Sequence, residues 1–164
     1  EILEREFGAR FSQEERRAIA AEEEGTYRTI FKPELSLITG FSDFMDHLDE
    51  LSLPFGIGTA APEPNADFVL DELAIRSRFQ AVVHAGHVKR GKPDPEVFEK
   101  AADAMGLPLE KCIIFEDSPT GAEAAQRGGA QSVIVTTTHE RQEFAHLDNV
   151  LLFISDFSGL RLSL

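Results

Sequence analysis

The sequence predicts an α/β fold: a parallel sheet with flanking helices. Short apolar runs of about four residues alternate with helical patterns of roughly ten or more, the rhythm of parallel strands joined by crossover helices. The polar residues with the most chemical reach stand just after those runs, where open parallel sheets place their ligand sites. A length of 164 residues suits one compact domain plus a small appendage.

Taken in order, Glu1 to Phe7 reads as the tail of a helix, with Ile2, Leu3 and Phe7 on one side and Gly8 ending it. Ser12-Gln13-Glu14-Glu15 has the capping-box pattern, in which Ser and Glu satisfy each other's orphan backbone donors. The polar helix it opens runs to about Phe31, where Lys32-Pro33 breaks it and an extended connection, Leu35 to Thr39, follows. Phe41, Phe44, Met45, Leu48 and Leu51 then recur at helical spacing and predict a helix that buries one stripe. Phe55 to Gly58 is the first strand, residues 65 to 74 a helix with Phe68, Val69 and Leu73 inward, and Ala81 to Val83 the second strand. Asp94-Pro95 starts a helix that stops at Gly106. Cys112 to Phe115, Ser132 to Val135 and Val150 to Phe153 are the remaining strands. Ser118-Pro119 opens the helix between the first two of these, and a last helix falls near 139 to 146.

Composition narrows the function classes. The chain is 42% hydrophobic and 27% charged, ordinary for a soluble globular protein, and no apolar run reaches membrane-spanning length. The acidic beginning does not read as a signal peptide. A net charge of −13, from 29 acids against 16 Lys and Arg, argues against nucleic-acid partners, which need clustered cations. The lone Cys112 cannot form an intrachain disulfide, reads as a buried structural thiol, and suits a reducing, cytoplasmic compartment.

Three strand ends carry the chemistry. Thr59 follows the first strand, Lys92 lies in Gly91-Lys92-Pro93-Asp94-Pro95, and Glu116-Asp117 follow the third. Each has a plain structural reading: a helix cap, a turn, and capping of the next helix. Together, a hydroxyl, an ammonium and two adjacent carboxylates at the ends of one sheet match the needs of phosphoryl transfer. The hydroxyl and nearby backbone N–H groups hold phosphate oxygens, and the ammonium offsets their charge. The carboxylates suit Mg²⁺, which prefers oxygen ligands and removes the mutual repulsion of the acid pair. His84 and His87 have no third ligand at suitable spacing and read as surface or loop histidines, while His139 and His146 on the last helix read as solvated.

At these residues the chain resembles the haloacid dehalogenase (HAD) superfamily, in its β-phosphoglucomutase-like branch. Thr59 with Ala60 resembles the second motif of that family, Lys92 in Gly91-Lys92-Pro93-Asp94-Pro95-Glu96-Val97-Phe98 the third, and Phe115-Glu116-Asp117-Ser118-Pro119-Thr120-Gly121 the metal-binding fourth. The likeness covers about residues 35 to 156, continuing through Ala124-Ala125, Gly128-Gly129-Ala130 and the strand near Val133. It implies a Rossmann-like parallel sheet with flanking helices at residues 35–164 and the remnant of a helical cap at 1–34. It also implies a Mg²⁺-dependent phosphatase or phosphosugar mutase acting on a small phosphorylated metabolite, a sugar phosphate. Thr59, Ala60 and Lys92 would bind phosphate, Lys92 would assist catalysis, and Glu116 and Asp117 would hold the metal.

The chain departs from the pattern in one respect. The family's first motif is Asp-x-Asp after the first core strand, its first aspartate attacking phosphorus and its second serving as acid and base. No Asp-x-Asp occurs in the 164 residues. About fifty to sixty residues of the family pattern are missing, the first central strand among them. An incomplete or nucleophile-less enzyme is therefore expected, with self-association through the sheet edge left open as a further expectation. The alternatives are a non-catalytic interaction protein of the same fold and a phospho-receiver-like domain. The receiver reading suffers because its acidic pair should precede the lysine, and here the pair follows it.

Overall fold

The computed structural model describes residues 11–163, so the helix expected at Glu1 to Phe7 lies outside the described residues. The chain divides into two compact units between Leu35 and Ser36. Of the first, the described part is α1 (Gln13–Phe31) and a 3₁₀ turn at Lys32–Glu34. The capping box forms as expected: Glu15 N–H donates to Ser12 Oγ (3.2 Å) and Ser12 N–H to Glu15 Oε2 (2.7 Å). Tyr27 and Phe31, one turn apart, stack with ring centroids 5.3 Å apart.

The second unit is an α/β arrangement of α2 (Phe41–Glu50), β1 (Gly56–Gly58), α3 (Glu63–Glu72), β2 (Ala81–Val83), α4 (Glu96–Ala104), β3 (Ile113–Glu116), α5 (Pro119–Arg127), β4 (Gln131–Val135) and β5 (Val150–Ile154). All strand pairing is parallel. β1 pairs with β2, Ile57 opposite Val82; β3 pairs with β4, Phe115 opposite Val133; and β4 pairs with β5 through a register irregularity between Ser132 and Val133. The sheet is thus interrupted: among the described residues no ladder joins β1 to β3, and each has one unpaired edge. No helix among the described residues is long and apolar enough to cross a membrane.

Apolar packing holds the two parts together. α2 contributes Phe44 to a cluster with Phe115, Val135 and Phe157, the Phe44 and Phe115 centroids lying 5.2 Å apart. The next residue, Met45, packs with Leu70, Ile75 and Ile57. Consecutive helical positions point about 100° apart, so one helix serves both clusters. α4 covers the β1–β2 pair with Val97 and Phe98, and the approach is close enough to require glycine at position 58, where a Cβ would meet Phe98 Cδ1 at 2.8 Å. Beneath α5, Asn149 is buried and donates to Ala122 O (3.3 Å), Ala130 O (3.0 Å) and Ser132 Oγ (2.9 Å), tying the start of β5 to its neighbours.

Several expectations are corrected in detail. α3 begins at Glu63 rather than residue 65, and it buries Ala66 and Leu70 while Phe68, Val69 and Leu73 are only half-buried. α4 starts at Glu96, with Pro95 rather than Asp94 at the cap; Asp94 Oδ1 instead accepts Glu96 N–H at 3.1 Å. β3 is shifted one residue, leaving Cys112 outside it, half-buried and bonded through Sγ to Pro108 O. Burial and then the nearby Glu110 carboxylate raise that thiol's pKa. No α-helix spans 139–146; a 3₁₀ turn at Arg141–Phe144 takes its place. Phe144 and Leu147 both enter the cluster around Ile134, and a tight turn brings them there with only two residues left before β5 begins.

Leu70 is the largest side chain that α3 buries, at 2% exposure. Leu70→Ala should cost about 2–5 kcal/mol, read as a lowered midpoint in urea unfolding. Phe68→Ala on the same helix should cost less, and the reverse order would contradict this packing.

Candidate active site

The site lies at the carboxyl ends of β1 and β3. Thr59 directly follows β1, and its N–H extends the ladder by donating to Val83 O at 2.9 Å. Its Oγ1 accepts Ala61 N–H at 3.1 Å, which leaves the hydroxyl hydrogen for another acceptor. The Ala60 N–H has no protein partner among the described residues. Thr59, Ala60, Gly91, Lys92 and Val97 line one cavity of about 240 Å³, with Lys89 at its rim.

Lys92 belongs to the segment between β2 and α4, and its peptide bond to Pro93 is cis. Its Nζ sits 4.5 Å from the centroid of the Phe98 ring and pairs with Glu116 Oε1. Both side chains of that pair are largely removed from solvent, at 13% and 8% exposure. Glu116, the last residue of β3, turns its other oxygen to the start of α5. Oε2 accepts Asp117 N–H (3.2 Å), Ser118 N–H (3.3 Å) and Ser118 Oγ–H (3.1 Å). The carboxylate rests directly against the α-carbon of Gly121, so any side chain at 121 would collide with it. Ser118 completes the motif by accepting Gly121 N–H at 3.1 Å, the capping role that Ser118-Pro119 led us to expect.

The structure therefore brings Thr59, Ala60 and Lys92 to one cavity and joins Glu116 to it through Lys92. Asp117 stands beside them, half-buried, with Oδ2 3.0 Å from Thr138 Oγ1 and Oδ1 without a hydrogen bond among the described residues. Among the described residues no cluster of three or more His, Cys, Asp and Glu could cage an ion. Mg²⁺ does not need such a cage: it keeps several waters and commonly binds one or two carboxylates plus substrate phosphate. The open Oδ1 of Asp117 beside Glu116 fits that kind of partial shell.

Two groups beside the site, Glu96 and His139, escaped the sequence reading. Glu96 is buried, and its carboxylate accepts Lys89 N–H twice (3.1 Å each) and Arg90 N–H (3.0 Å) while pairing with Lys100 (2.9 Å). It thereby clamps the backbone that leads to Lys92. His84 and His87 lie in the loop after β2, one of the two expected placings; His84 is 7% exposed, its ring lies 3.7 Å from that of His87, and its Nδ1 accepts Gly86 N–H. His139 is not solvated on a helix; it is half-buried, its Nδ1 3.0 Å from Asp117 O. Only Glu96 left a trace in the sequence, as the acid following the Lys-Pro-Asp-Pro run.

Lys100, followed by the N–H groups of Lys89 and Arg90, holds the Glu96 carboxyl down from 4.5 to about 2. A depressed carboxylate pKa contributes stability that is complete above the ordinary glutamate range and lost as pH falls through the folded value. Amide protection at Lys89 and Arg90, corrected for intrinsic exchange, should thus be constant above about pH 4.5 and decline toward pH 2. Glu96→Gln should remove that acid-range dependence; retention of it would show that another group holds the segment.

Comparison with known proteins shows the family. The sequence profile of the haloacid dehalogenase-like hydrolase family matches residues 4–135. The validoxylamine A 7'-phosphate phosphatase of Streptomyces hygroscopicus subsp. limoneus is 33% identical over 119 residues, 73% of this chain and 56% of that protein. The fructose-1-phosphate phosphatase YqaB of Escherichia coli K12 is 39% identical over 82 residues, 50% of this chain and 44% of that protein. The chain thus spans about half the length of these curated relatives. Among solved structures, a HAD hydrolase, family IA, variant 3, from Entamoeba histolytica superposes with a TM-score of 0.86 at 23% identity, over 98% of this chain and 73% of that one. The β-phosphoglucomutase of Clostridium difficile gives 0.83 at 25% identity, over 98% and 70%. A profile match over most of the sequence makes this chain a member of the haloacid dehalogenase-like hydrolase family.

Proposed function

We propose that this chain forms the phosphate- and metal-binding part of a Mg²⁺-dependent phosphoryl-transfer enzyme, a phosphatase or phosphosugar mutase acting on a small sugar phosphate. The observation that carries the reading is that Thr59 and Lys92, 33 positions apart, line one cavity while Lys92 also pairs with the carboxylate next to Asp117. The phosphatase names of its relatives, including a phosphorylated-carbohydrates phosphatase and a hexitol phosphatase, support the substrate class.

In this reading the Thr59 hydroxyl and the Ala60 N–H donate to phosphate oxygens, both hydrogens being uncommitted among the described residues. Lys92 supplies a third donor and offsets the phosphate's charge, its position set by Glu116 and the Phe98 ring. Asp117 Oδ1, with Glu116 beside it, would hold Mg²⁺, whose chemistry is to neutralise charge on the transferring group. The attacking carboxylate is not among these 164 residues and comes, in this reading, from protein beyond them or from another chain. Residues 1–34 would belong to a helical cap and residues 35–164 to the core. The open edges of β1 and β3 would accept a further strand, and in its absence would favour self-association. The lone thiol suits a reducing, cytoplasmic setting.

The 164 residues should bind inorganic phosphate in the presence of Mg²⁺, as read by calorimetry, without releasing phosphate from a sugar phosphate. Thr59→Ala should weaken that binding by about tenfold, the loss of one hydrogen bond to a charged group. Phosphate affinity unchanged by this substitution would reject the site. Asp117→Asn, in a longer chain that carries the nucleophile, should abolish Mg²⁺-dependent turnover.

A further inference from the structure

A run of three threonines leaves β4 toward the site, and the first and last do different jobs. Thr136 is fastened to β5: its N–H donates to Ile154 O at 2.8 Å and its hydroxyl to the same oxygen at 3.1 Å. Thr137 turns the chain, its N–H donating to Val135 O at 2.8 Å. Thr138 then reaches across to the end of β3, where its Oγ1 lies 3.0 Å from Asp117 Oδ2 and 3.0 Å from Asp117 O. Because β3 and β4 are register neighbours, with Glu116 opposite Ile134, the residues following each strand meet at the same edge of the sheet.

His139 determines where the Thr138 hydrogen goes. Its Nδ1 is 3.0 Å from Asp117 O and 2.8 Å from Thr138 Oγ1. In the tautomer that carries its hydrogen on Nδ1, the ring donates to Asp117 O, since a carbonyl oxygen only accepts. The same N–H faces the Thr138 oxygen, which leaves the single hydroxyl hydrogen for the carboxylate, the stronger acceptor of the two offered. The imidazole is itself anchored: its ring meets Phe144 edge-on at 6.3 Å between centroids, and Phe144 is 2% exposed.

We propose that Thr138, backed by His139, is a positioning residue for Asp117. It engages Oδ2, fixes the carboxylate's rotation, and leaves Oδ1 presented for a divalent cation. Outer partners of this kind orient metal-binding carboxylates, and their loss lowers metal affinity by about 10–100-fold. The inference rests on the reading of Asp117 as a metal ligand, and the test separates the two.

Mn²⁺ serves as the probe, its binding to the 164-residue chain followed by water-proton relaxation and reversed by added Mg²⁺. Thermal unfolding without metal is measured alongside. The wild type should bind Mn²⁺ and Asp117→Asn should not; absence of binding by the wild type, or equal binding by Asp117→Asn, overturns the ligand reading and this inference with it. Thr138→Val keeps the shape of threonine and removes the donor, so it should weaken Mn²⁺ binding about tenfold with metal-free melting unchanged. Thr138→Ser restores the hydroxyl and should bind within about twofold of wild type. If Asp117→Asn loses Mn²⁺ while Thr138→Val keeps wild-type affinity, the positioning role is wrong and the ligand reading stands. If Thr138→Val melts lower, or Thr138→Ser binds as poorly as Thr138→Val, the residue is only a structural contact and the proposal fails.

Discussion

The pair between Lys92 and Glu116 is the constraint on which the site depends. Among the described residues no backbone ladder runs from the β1–β2 pair to the β3–β4–β5 sheet, so side chains must register the two halves. α2 does this with apolar surface, through Phe44 on one side and Met45 on the other. Apolar packing tolerates sliding more readily than a charged contact does, because it has no preferred direction. Lys92 comes from the loop after β2 and Glu116 from the tip of β3, and both are largely withdrawn from water. A buried ion pair contributes little net stability, yet breaking one by removing a partner costs about 3–5 kcal/mol because a charge is left stranded. Its value here is geometric: it sets the distance between the cavity that holds Thr59 and the carboxylates that end β3.

That pair is itself held from both sides. Glu116 is fixed by Ser118 and the first N–H groups after β3, and it fits only because residue 121 is glycine. Lys92 is fixed by the Phe98 ring and by a backbone that Glu96 secures two residues upstream. Both buried carboxylates, Glu96 and Glu116, accept backbone N–H groups and pair with one lysine, so neither is an uncompensated charge in the interior.

How much of this was legible follows from the distance over which each residue acts. Thr59, Lys92, Glu116 and Asp117 could be picked out because strand ends are readable from short apolar runs, and parallel sheets gather strand ends at one edge. Ser12 and Ser118 were readable because a cap bonds only three residues ahead. Thr138 and His139 were not, since their partner Asp117 lies 21 and 22 residues away and nothing local marks either of them as different from a loop residue. The turn at Arg141–Phe144 misled for a related reason: polar and apolar residues at helical spacing favour a helix, but a segment that short gains too little from helix formation to resist the tighter turn that buries Phe144 and Leu147. In α3, Leu70 rather than Phe68 faces inward because the helix begins two residues earlier than expected and its axis is set by packing against Met45 and Ile75. The interruption between β1 and β3 had no local mark in the sequence either, because among the described residues it is the lack of a ladder between two distant strands.

Charge explains why such a site needs its local cations. A chain of net charge −13 repels phosphate at long range, which works against a phosphate site. Screening at physiological ionic strength limits that repulsion to about 8 Å. Many of the acids are, moreover, answered where they stand: Asp67 and Asp71 by Arg76, Asp46 and Asp49 by Arg78, Glu123 by Arg127. In the proposed reading, what an arriving phosphate would meet within that distance is Lys92, the rim lysine Lys89 and the hydrogens of Thr59 and Ala60, uncommitted among the described residues. Against these stands the carboxylate of Asp117, with one oxygen bound to Thr138 and the other open. Left bare, it would oppose a phosphate dianion; bearing a divalent cation, the same oxygen becomes an attraction. If Asp117 holds the cation as proposed, the same open oxygen would make phosphate binding depend on the metal.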